Sequence, residues 1–148
     1  MTHEEEIKQG LKKQFAAKVE VSIQRERRMF CRVATADLVP VVSFLKDRFA
    51  FTHITTISSL DLGDQLEALY HLSDARTMLT VRSQVPKQEP VIPTLTPVLP
   101  GAVLYERELQ DLMGFRVKDH PDPRRFNLPE DWPDGVYPLR KDFKTNAP

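Results

Sequence analysis

The sequence predicts an α+β fold, in which helices pack on one face of a mainly antiparallel sheet of about five strands. Three observations lead to this prediction. Apolar residues recur at four-residue spacing near the N-terminus, apolar and polar residues alternate in several segments between residues 19 and 82, and eleven of the twelve prolines follow residue 85. The 148 residues are enough for one core. We therefore expect an α+β core domain at 1–114 and an extended, proline-rich C-terminal docking tail at 115–148.

The first elements are a helix and a hairpin. Thr2 and Glu5 form a capping-box pattern, and Ile7, Leu11 and Phe15 follow on one helical face. Alternating apolar residues then surround the charged run QRERR, which predicts a β-hairpin near residues 18–34. Together they supply one helix and two strands of the expected sheet.

A second helix and three further strands complete the predicted sheet. Thr35 or Asp37 is the expected N-cap of the helix, and Pro40 is expected in its first turn, where a missing N–H costs nothing. The β-branched run FTHITTISS, the turn SLDLGD, the segment QLEALYHLS and the alternation around Leu79 and Val81 predict a meander of three strands.

The rest of the core is a proline-rich crossing followed by a third helix. Five prolines within residues 86–101 are too many for a ladder or a long helix, so we expect an ordered loop or a short linker. A helix over 102–113 follows, with Gly114 at the C′ position. This helix closes the predicted domain.

Charge and composition exclude several classes of protein. Twenty-one basic residues balance twenty-one acidic ones, so no overall field favours nucleic acid or an anionic membrane. The single cysteine forms no internal disulfide, which favours a reducing cytoplasm. No apolar run approaches the roughly twenty residues of a membrane-spanning helix. We expect neither secretion nor embedding in a membrane.

The acidic residues do not form a recognisable catalytic or metal site. Glu106 and Glu108 are two residues apart on the predicted helix and do not face each other, so a general acid–base pair is disfavoured. Asp119, His120 and Asp122 are neighbours in one loop, whereas transition-metal ligands usually converge from separate elements. We expect a solvated or partner-facing helix surface and a hydrogen-bonding histidine.

Other reactive residues lead to the same interpretation. Cys31 lies on an alternating strand, where a lone cysteine is usually a small buried apolar group, and a nucleophile there would need a partner such as His53 or His71. Arg124 and Arg125 are flanked by acidic residues and no base-stacking platform accompanies them. From the residues alone, no enzyme of known type is visible.

The tail is unusual because it combines aromatics, prolines and both signs of charge. Residues 115–148 contain seven basic and six acidic side chains, with aromatic and aliphatic residues scattered among them. Disordered segments have low hydrophobicity and high net charge, which this segment lacks. We expect it to dock on a protein surface, with wrapping of its own domain as the alternative.

The run YERELQDLMGFRVKDHPDPRRFNLPEDWPDGVYPLRKDF resembles the signature of the thirty-kilodalton subunit of respiratory NADH:quinone oxidoreductase, or complex I. It is also similar to the equivalent subunit of energy-converting membrane-bound nickel–iron hydrogenases. Asp119 stands where the family usually has glycine. The residues in register, which the resemblance implies to be the partner interface, are Glu106, Arg107, Glu108, Asp111, Gly114, His120, Pro121, Arg124, Arg125, Trp132, Pro138, Leu139, Arg140, Lys141, Asp142 and Phe143.

The resemblance implies a non-catalytic scaffold subunit of a membrane-bound, ion-translocating redox complex. In this family the subunit has no cofactor, metal or catalytic residue. It clamps the hydrogenase-like large subunit and lies next to the iron–sulfur small subunit. It is peripheral, on the cytoplasmic side of the cell membrane, and meets the membrane only through its complex.

Two branches of the family and two other classes of function stay open. The hydrogenase-type branch is preferred because its subunits are short, as this chain is, while the respiratory NADH quinone oxidoreductase is the alternative. A stand-alone metal enzyme or hydrolase would use Glu106, Asp111 and His120. A binding module for a small acidic ligand would use Arg124, Arg125 and Arg140.

Overall fold

The computed structural model describes residues 1–145 and contains the predicted three helices and five-stranded sheet. Two short 3₁₀ helices, Ala16–Lys18 and Pro100–Ala102, accompany them. In chain order the elements are α1 His3–Phe15, β1 Val19–Arg25, β2 Arg28–Val33, α2 Thr35–Phe49, β3 His53–Asp61, β4 Gln65–Ser73, β5 Met78–Pro86, β6 Val91–Pro93, α3 Val103–Met113 and β7 Arg116–Lys118.

The predicted start of α1 is confirmed, and that of α2 is wrong. Thr2 and Glu5 form the capping box of α1. The N-cap of α2 is Ala34, which provides no side-chain hydrogen bond. Because the helix begins at Thr35, Pro40 lies beyond its first turn, where its missing N–H leaves a carbonyl of the preceding turn without its usual partner.

The large sheet is mixed, with strand order β1-β2-β5-β4-β3. Three neighbouring pairs are antiparallel, but β2 and β5 are parallel, with Cys31 opposite Val81. The expectation of a mainly antiparallel sheet therefore needs this correction. The physical reason is the crossover: α2 carries the chain from β2 to the far edge, and the β3-β4-β5 meander then returns to β2.

A second, two-stranded sheet forms where no ladder was expected. β6 and β7 pair in parallel, with Ile92 opposite Val117. Proline has no N–H to donate to the ladder, but its carbonyl can accept a hydrogen bond. The carbonyl of Pro90 accepts from the Arg116 N–H at 2.9 Å. The residues of the proline-rich run are thereby fixed beside the core.

The core lies between one face of the large sheet and the helices. It is continuous from Ile7 of α1 through Tyr70 of β4 to Leu109 of α3, all of which are buried. Phe115 and Val117 belong to the same buried cluster. The division into 1–114 and 115–148 stays a prediction, and these two residues place the beginning of the predicted tail in the core.

After Lys118 the described chain has neither helix nor strand and turns back onto α3. The Leu139 N–H donates to the Leu112 carbonyl at 3.0 Å, so residues 119–145 form a folded strap along the domain. An extended tail is not observed in the described residues, and residues 146–148 of the predicted tail lie outside them. No helix within residues 1–145 has both the length and the apolar character needed to cross a membrane.

Candidate partner-binding surface

Helix α3 is the base of the candidate surface, and its buried face includes a carboxyl group. Glu106 is only 1% exposed, and its Oε1 accepts from the Leu95 N–H at 2.9 Å and the Thr94 hydroxyl at 3.1 Å. Within residues 1–145 its Oε2 has no hydrogen-bond partner, and burial raises the pKa of this carboxyl group. Glu106 therefore holds the proline-rich segment on α3 and is inaccessible to a substrate or a partner.

Two other side chains of α3 hold the backbone of the strap. Arg107 donates from Nε to the Arg124 carbonyl at 2.8 Å and from Nη2 to the Arg125 carbonyl at 2.9 Å. Asp111 accepts the N–H groups of Phe126 and Asn127 at 2.7 and 2.8 Å. Since charged groups form stronger hydrogen bonds than neutral ones, these contacts fix the first half of the strap on the helix.

The loop that leads into the strap depends on His120 and Asp119. His120 Nε2 donates to the Val103 carbonyl at 2.9 Å, and its Nδ1 accepts from the Asp122 N–H at 3.0 Å. Both ring nitrogens are therefore used in hydrogen bonds to backbone groups. Asp119 has φ +64°, a left-handed conformation that favours glycine. Glycine is the usual residue at this position in the family whose signature the sequence resembles.

Arg125 shapes the middle of the strap. Its Nη1 donates to the carbonyls of Pro129, Glu130 and Trp132 at 3.2, 3.1 and 2.6 Å, and its Nη2 donates to the Asp134 carboxylate at 2.6 Å. A guanidinium group has five donors in one plane, which suits several convergent carbonyls. The loop therefore winds around this side chain.

The end of the strap returns to the C-terminus of α3. Arg140 donates from Nε to the Met113 carbonyl at 2.7 Å, and its guanidinium carbon lies 4.5 Å from the centroid of the Tyr137 ring. Gly114 ends the helix with φ +79°, and a Cβ atom there would lie 2.5 Å from the Tyr137 ring. Glycine is thus required for its conformation and for the close approach of the strap.

Asp61, the last residue of β3, was not among the predicted interface residues, although it lies in the segment SLDLGD, which was predicted to be a turn. Its Oδ2 accepts from the Lys141 N–H at 2.9 Å and from Lys87 Nζ at 2.8 Å. The hydrogen bond from Lys87 is the main cause of the lowered pKa of Asp61. A carboxylate eighty residues away in sequence therefore fixes the end of the strap.

Several side chains of this region remain available on the surface. Arg124 is 81% exposed and binds only its neighbour Asp122, at 2.7 Å, among the described residues. The large apolar side chains exposed here are Leu104, Phe126 and Leu139, which are 43%, 48% and 58% exposed. Leu139 lines a shallow groove with Glu108 and Leu112 of α3. Exposed leucine and phenylalanine next to fixed charges are typical of a protein-binding surface.

Fourteen of the sixteen predicted interface residues fall into two groups, those that make contacts within the domain and those that face solvent. The other two, Glu108 and Pro138, are half-buried. The residues that hold the strap on α3 are Arg107, Asp111, Gly114, His120 and Arg140. Arg125 shapes the strap from within, and Glu106 holds the proline-rich segment on α3. Trp132 Nε1 donates to the Val136 carbonyl at 2.8 Å, and its ring packs near Phe143. The residues that face solvent are Pro121, Arg124, Leu139, Lys141 and Asp142.

The residues of the alternative sites are not brought together. Glu106 and Asp111 bind different segments of backbone, and Arg124, Arg125 and Arg140 each donate to a separate protein group. Within residues 1–145, no three His, Cys, Asp or Glu side chains form a group that could hold a metal ion. Burial raises the pKa of the Cys31 thiol to about 12, which disfavours the nucleophilic thiolate.

Comparison with known proteins gives consistent matches over most of the chain. Residues 31–148 match the family model of the respiratory-chain NADH dehydrogenase 30 kDa subunit. The membrane-bound hydrogenase subunit beta of Pyrococcus furiosus is 30% identical over 79% of this chain and 70% of its own length. An NADH-quinone oxidoreductase subunit of Moorella thermoacetica is 35% identical over 76% of this chain and 78% of its own length.

A solved structure is similar as well. A chain in the structure of the membrane-bound sulfane sulfur reductase, an archaeal respiratory membrane complex, has a TM-score of 0.79 and 28% identity. The superposition covers 97% of this chain and 86% of that chain.

Proposed function

Since the chain belongs to the family of the 30 kDa subunit of respiratory-chain NADH dehydrogenase, we propose that it is the non-catalytic scaffold subunit of its complex. It is a subunit of a complex I-like or energy-converting hydrogenase-type membrane complex. Its proposed partner is the hydrogenase-like large subunit, which it clamps, and its proposed neighbour is the iron–sulfur small subunit. The proposed location is peripheral, on the cytoplasmic side of the membrane.

One observation carries the scaffold proposal: several signature residues hold the strap on α3 or fix its shape. Arg107, Asp111, Arg125 and Arg140 donate to or accept from backbone groups of the strap or of α3. Such a set of contacts makes a rigid, pre-organised surface, which lowers the ordering cost of binding. A catalytic site would instead need these groups free to reach a substrate.

The exposed apolar residues define where the large subunit is proposed to bind. Leu139 lines the groove beside Glu108, and Leu104 is exposed one helical turn before Glu108 on α3. Phe126 lies next to Arg107, whose guanidinium carbon is 5.4 Å from the centroid of the Phe126 ring. A few well-packed side chains near the centre of an interface usually contribute most of its binding energy. The charged residues around them are suited to the rim.

Between the two branches, the hydrogenase type remains our proposal. The relatives at 30% and 35% identity include a membrane-bound hydrogenase subunit and an NADH-quinone oxidoreductase subunit, so the alternative is the same role in a quinone oxidoreductase. Purification of the intact complex decides between them. Hydrogen evolution by the complex supports the first branch, and quinone reduction without hydrogenase activity supports the second.

The interface is tested by Leu139→Asp, with Ala17→Asp as the matched control. Leu139 is 58% exposed and its backbone hydrogen bond survives the substitution, so the fold should be unchanged. Ala17 is exposed beside β1, at the opposite edge of the sheet from β3. A charge buried at an interface without a partner costs about 2–5 kcal/mol, so we expect Leu139→Asp to lose the large subunit on co-purification. Equal retention by the two folded variants would refute the proposed surface.

The non-catalytic character has a separate test. Elemental analysis and an absorption spectrum of the purified chain should give no stoichiometric iron, nickel or zinc and no flavin. A metal bound at one equivalent, and lost in a Glu106→Gln or His120→Ala variant, would support the metal-enzyme alternative.

A further inference from the structure

The large sheet has a second face that no helix covers in the described chain. Residues of β1 alternate between buried and exposed, and on β2 Met29, Cys31 and Val33 point into the core. Their neighbours in sequence therefore point away from all three helices. We call this side the outer face and define it by Arg28, Phe30, Arg32, Leu69, Met78 and Arg82.

Positive charge on the outer face is only partly compensated. Arg82 donates from Nε to the buried Glu67 carboxylate at 3.1 Å, so this pair is neutral. Among residues 1–145, neither Arg28 nor Arg32 has a carboxylate oxygen within 4.0 Å, and Glu20, opposite Arg32 in register, forms no salt bridge. Within the described residues, Arg28 and Arg32 are therefore without a direct ion pair.

Arg28 is the clearest case, because it is half-buried. Its guanidinium carbon lies 4.4 Å from the Phe30 ring centroid, and its one hydrogen bond in the described chain is a long one, 3.4 Å, to the Met29 carbonyl. Burial, and then the nearby charge of Arg25, lowers the pKa of Arg28. A partly desolvated guanidinium without a counter-charge gains from an incoming carboxylate.

The apolar residues and the size of the face also suit a protein partner. Phe30, Leu69 and Met78 are half-buried between the arginines, and aromatic residues, methionine and arginine are enriched in interfaces. Five strands about 4.8 Å apart and up to nine residues long cover about 600 Å². This approaches the roughly 800 Å² that one partner contributes to a standard interface.

We propose that the outer face is a second docking surface, which binds an acidic segment of a neighbouring polypeptide. Arg28 and Arg32 are four residues apart on one strand, which separates them by about 13 Å, with Phe30 midway. The segment carries two carboxylates at about this separation, on either side of an apolar side chain that contacts Phe30. The proposal goes beyond the scaffold role, because the outer face lies on the opposite side of the sheet from α3.

Zero-length cross-linking in the purified complex tests the proposal. A carbodiimide joins an amine only to a carboxylate in direct contact, so the variant is Arg32→Lys, with Gln14→Lys on exposed α1 as control. We expect mass spectrometry to find a cross-link from position 32 to an Asp or Glu of a neighbouring chain, and none from position 14. A link to Glu20 alone, to phosphatidylserine alone, or no link at position 32 would overturn the proposal.

Charge reversal supplies a second measurement on the full chain. Arg28→Glu with Arg32→Glu should lower retention of the acidic partner about tenfold, while Lys12→Glu with Lys13→Glu, an equal change of charge, should not. Circular dichroism checks that both double variants fold. If the arginine double variant does not fold, the single variant Arg32→Gln replaces it. Equal retention by the arginine and lysine variants contradicts the proposal. Loss of partner in Leu139→Asp alone would support the scaffold surface and leave the outer face without a role.

Discussion

The close approach of the strap to Gly114 gives the sharpest prediction. Gly114 and Gly135 have nearly equal φ angles, +79° and +76°. A Cβ atom at Gly114 would lie 2.5 Å from the Tyr137 ring and 2.6 Å from Arg140 Nη2. A Cβ atom at Gly135 would have no atom of the described chain within 4 Å, apart from the residues bonded to it. Alanine at the two positions therefore separates the cost of the contact from the cost of the left-handed conformation.

The magnitudes follow from these two terms. The left-handed conformation costs alanine about 1 kcal/mol at either position. At Gly114 the Tyr137 ring must also move by about 1 Å to reach an ordinary contact distance, and overpacking of this kind costs about 1–3 kcal/mol. Movement of the ring also weakens its contact with Arg140. We expect Gly114→Ala to be destabilised by about 2–4 kcal/mol in total and Gly135→Ala by about 1 kcal/mol.

Urea unfolding measures both variants with two signals. Far-ultraviolet circular dichroism follows the core, and fluorescence of Trp132, the one tryptophan of the chain, follows the strap. We expect Gly114→Ala to lower the midpoint of the fluorescence transition and to weaken co-purification of the large subunit. Equal midpoints for the two alanine variants would refute the claim that this glycine is required for the strap to approach α3.

Three further substitutions test the carboxyl groups that hold the domain together. Asp111→Asn weakens two charge-assisted hydrogen bonds, so amide exchange at Phe126 should accelerate by an amount equivalent to about 1–2 kcal/mol; unchanged exchange would contradict the assigned contact. Asp61→Asn should cost about 2–3 kcal/mol at neutral pH. The hydrogen bond from Lys87 lowers the pKa of Asp61 in the folded state. The ionised carboxylate therefore stabilises the fold above the ordinary pKa of 3.8, and this stabilisation is lost as the pH falls. The free energy of unfolding should thus decrease less steeply with acid in Asp61→Asn than in the parent. Burial raises the pKa of Glu106 in the folded state, so its ionisation destabilises the fold as the pH rises above the ordinary pKa of 4.5. The stability of Glu106→Gln relative to the parent should therefore increase from acid to neutral pH. A stability difference between the two proteins that does not change with pH would refute this.

Local patterns in the sequence were sufficient for most of the elements. The capping box at Thr2, the four-residue spacing of α1, the alternation in the strands and Gly114 after α3 are each set by residues close in sequence. The sixteen signature residues likewise led to the family, which the match over residues 31–148 shows. These features were predictable because each depends on neighbouring side chains and on backbone preference.

The parallel pairing of β2 with β5, and the pairing of β6 with β7, depended on contacts between distant segments. Neither leaves a local signal, because strands of the same composition pair in either direction and prolines exclude only some hydrogen bonds. Asp61 was missed as part of the site for the same reason, since its contact with Lys141 joins residues eighty positions apart.

The amino-acid sequence by itself determined which residues form the signature and which elements carry them. Only the tertiary structure decided how those residues are used. Arg107, Asp111, Arg125 and Arg140 could each have bound a partner, and charge alone does not say whether a guanidinium or a carboxylate meets its own backbone or another chain. In the folded protein they bind backbone within the domain, because the return of the strap over α3 brings peptide groups within hydrogen-bonding distance, and leaves Leu139 and Phe126 on the surface.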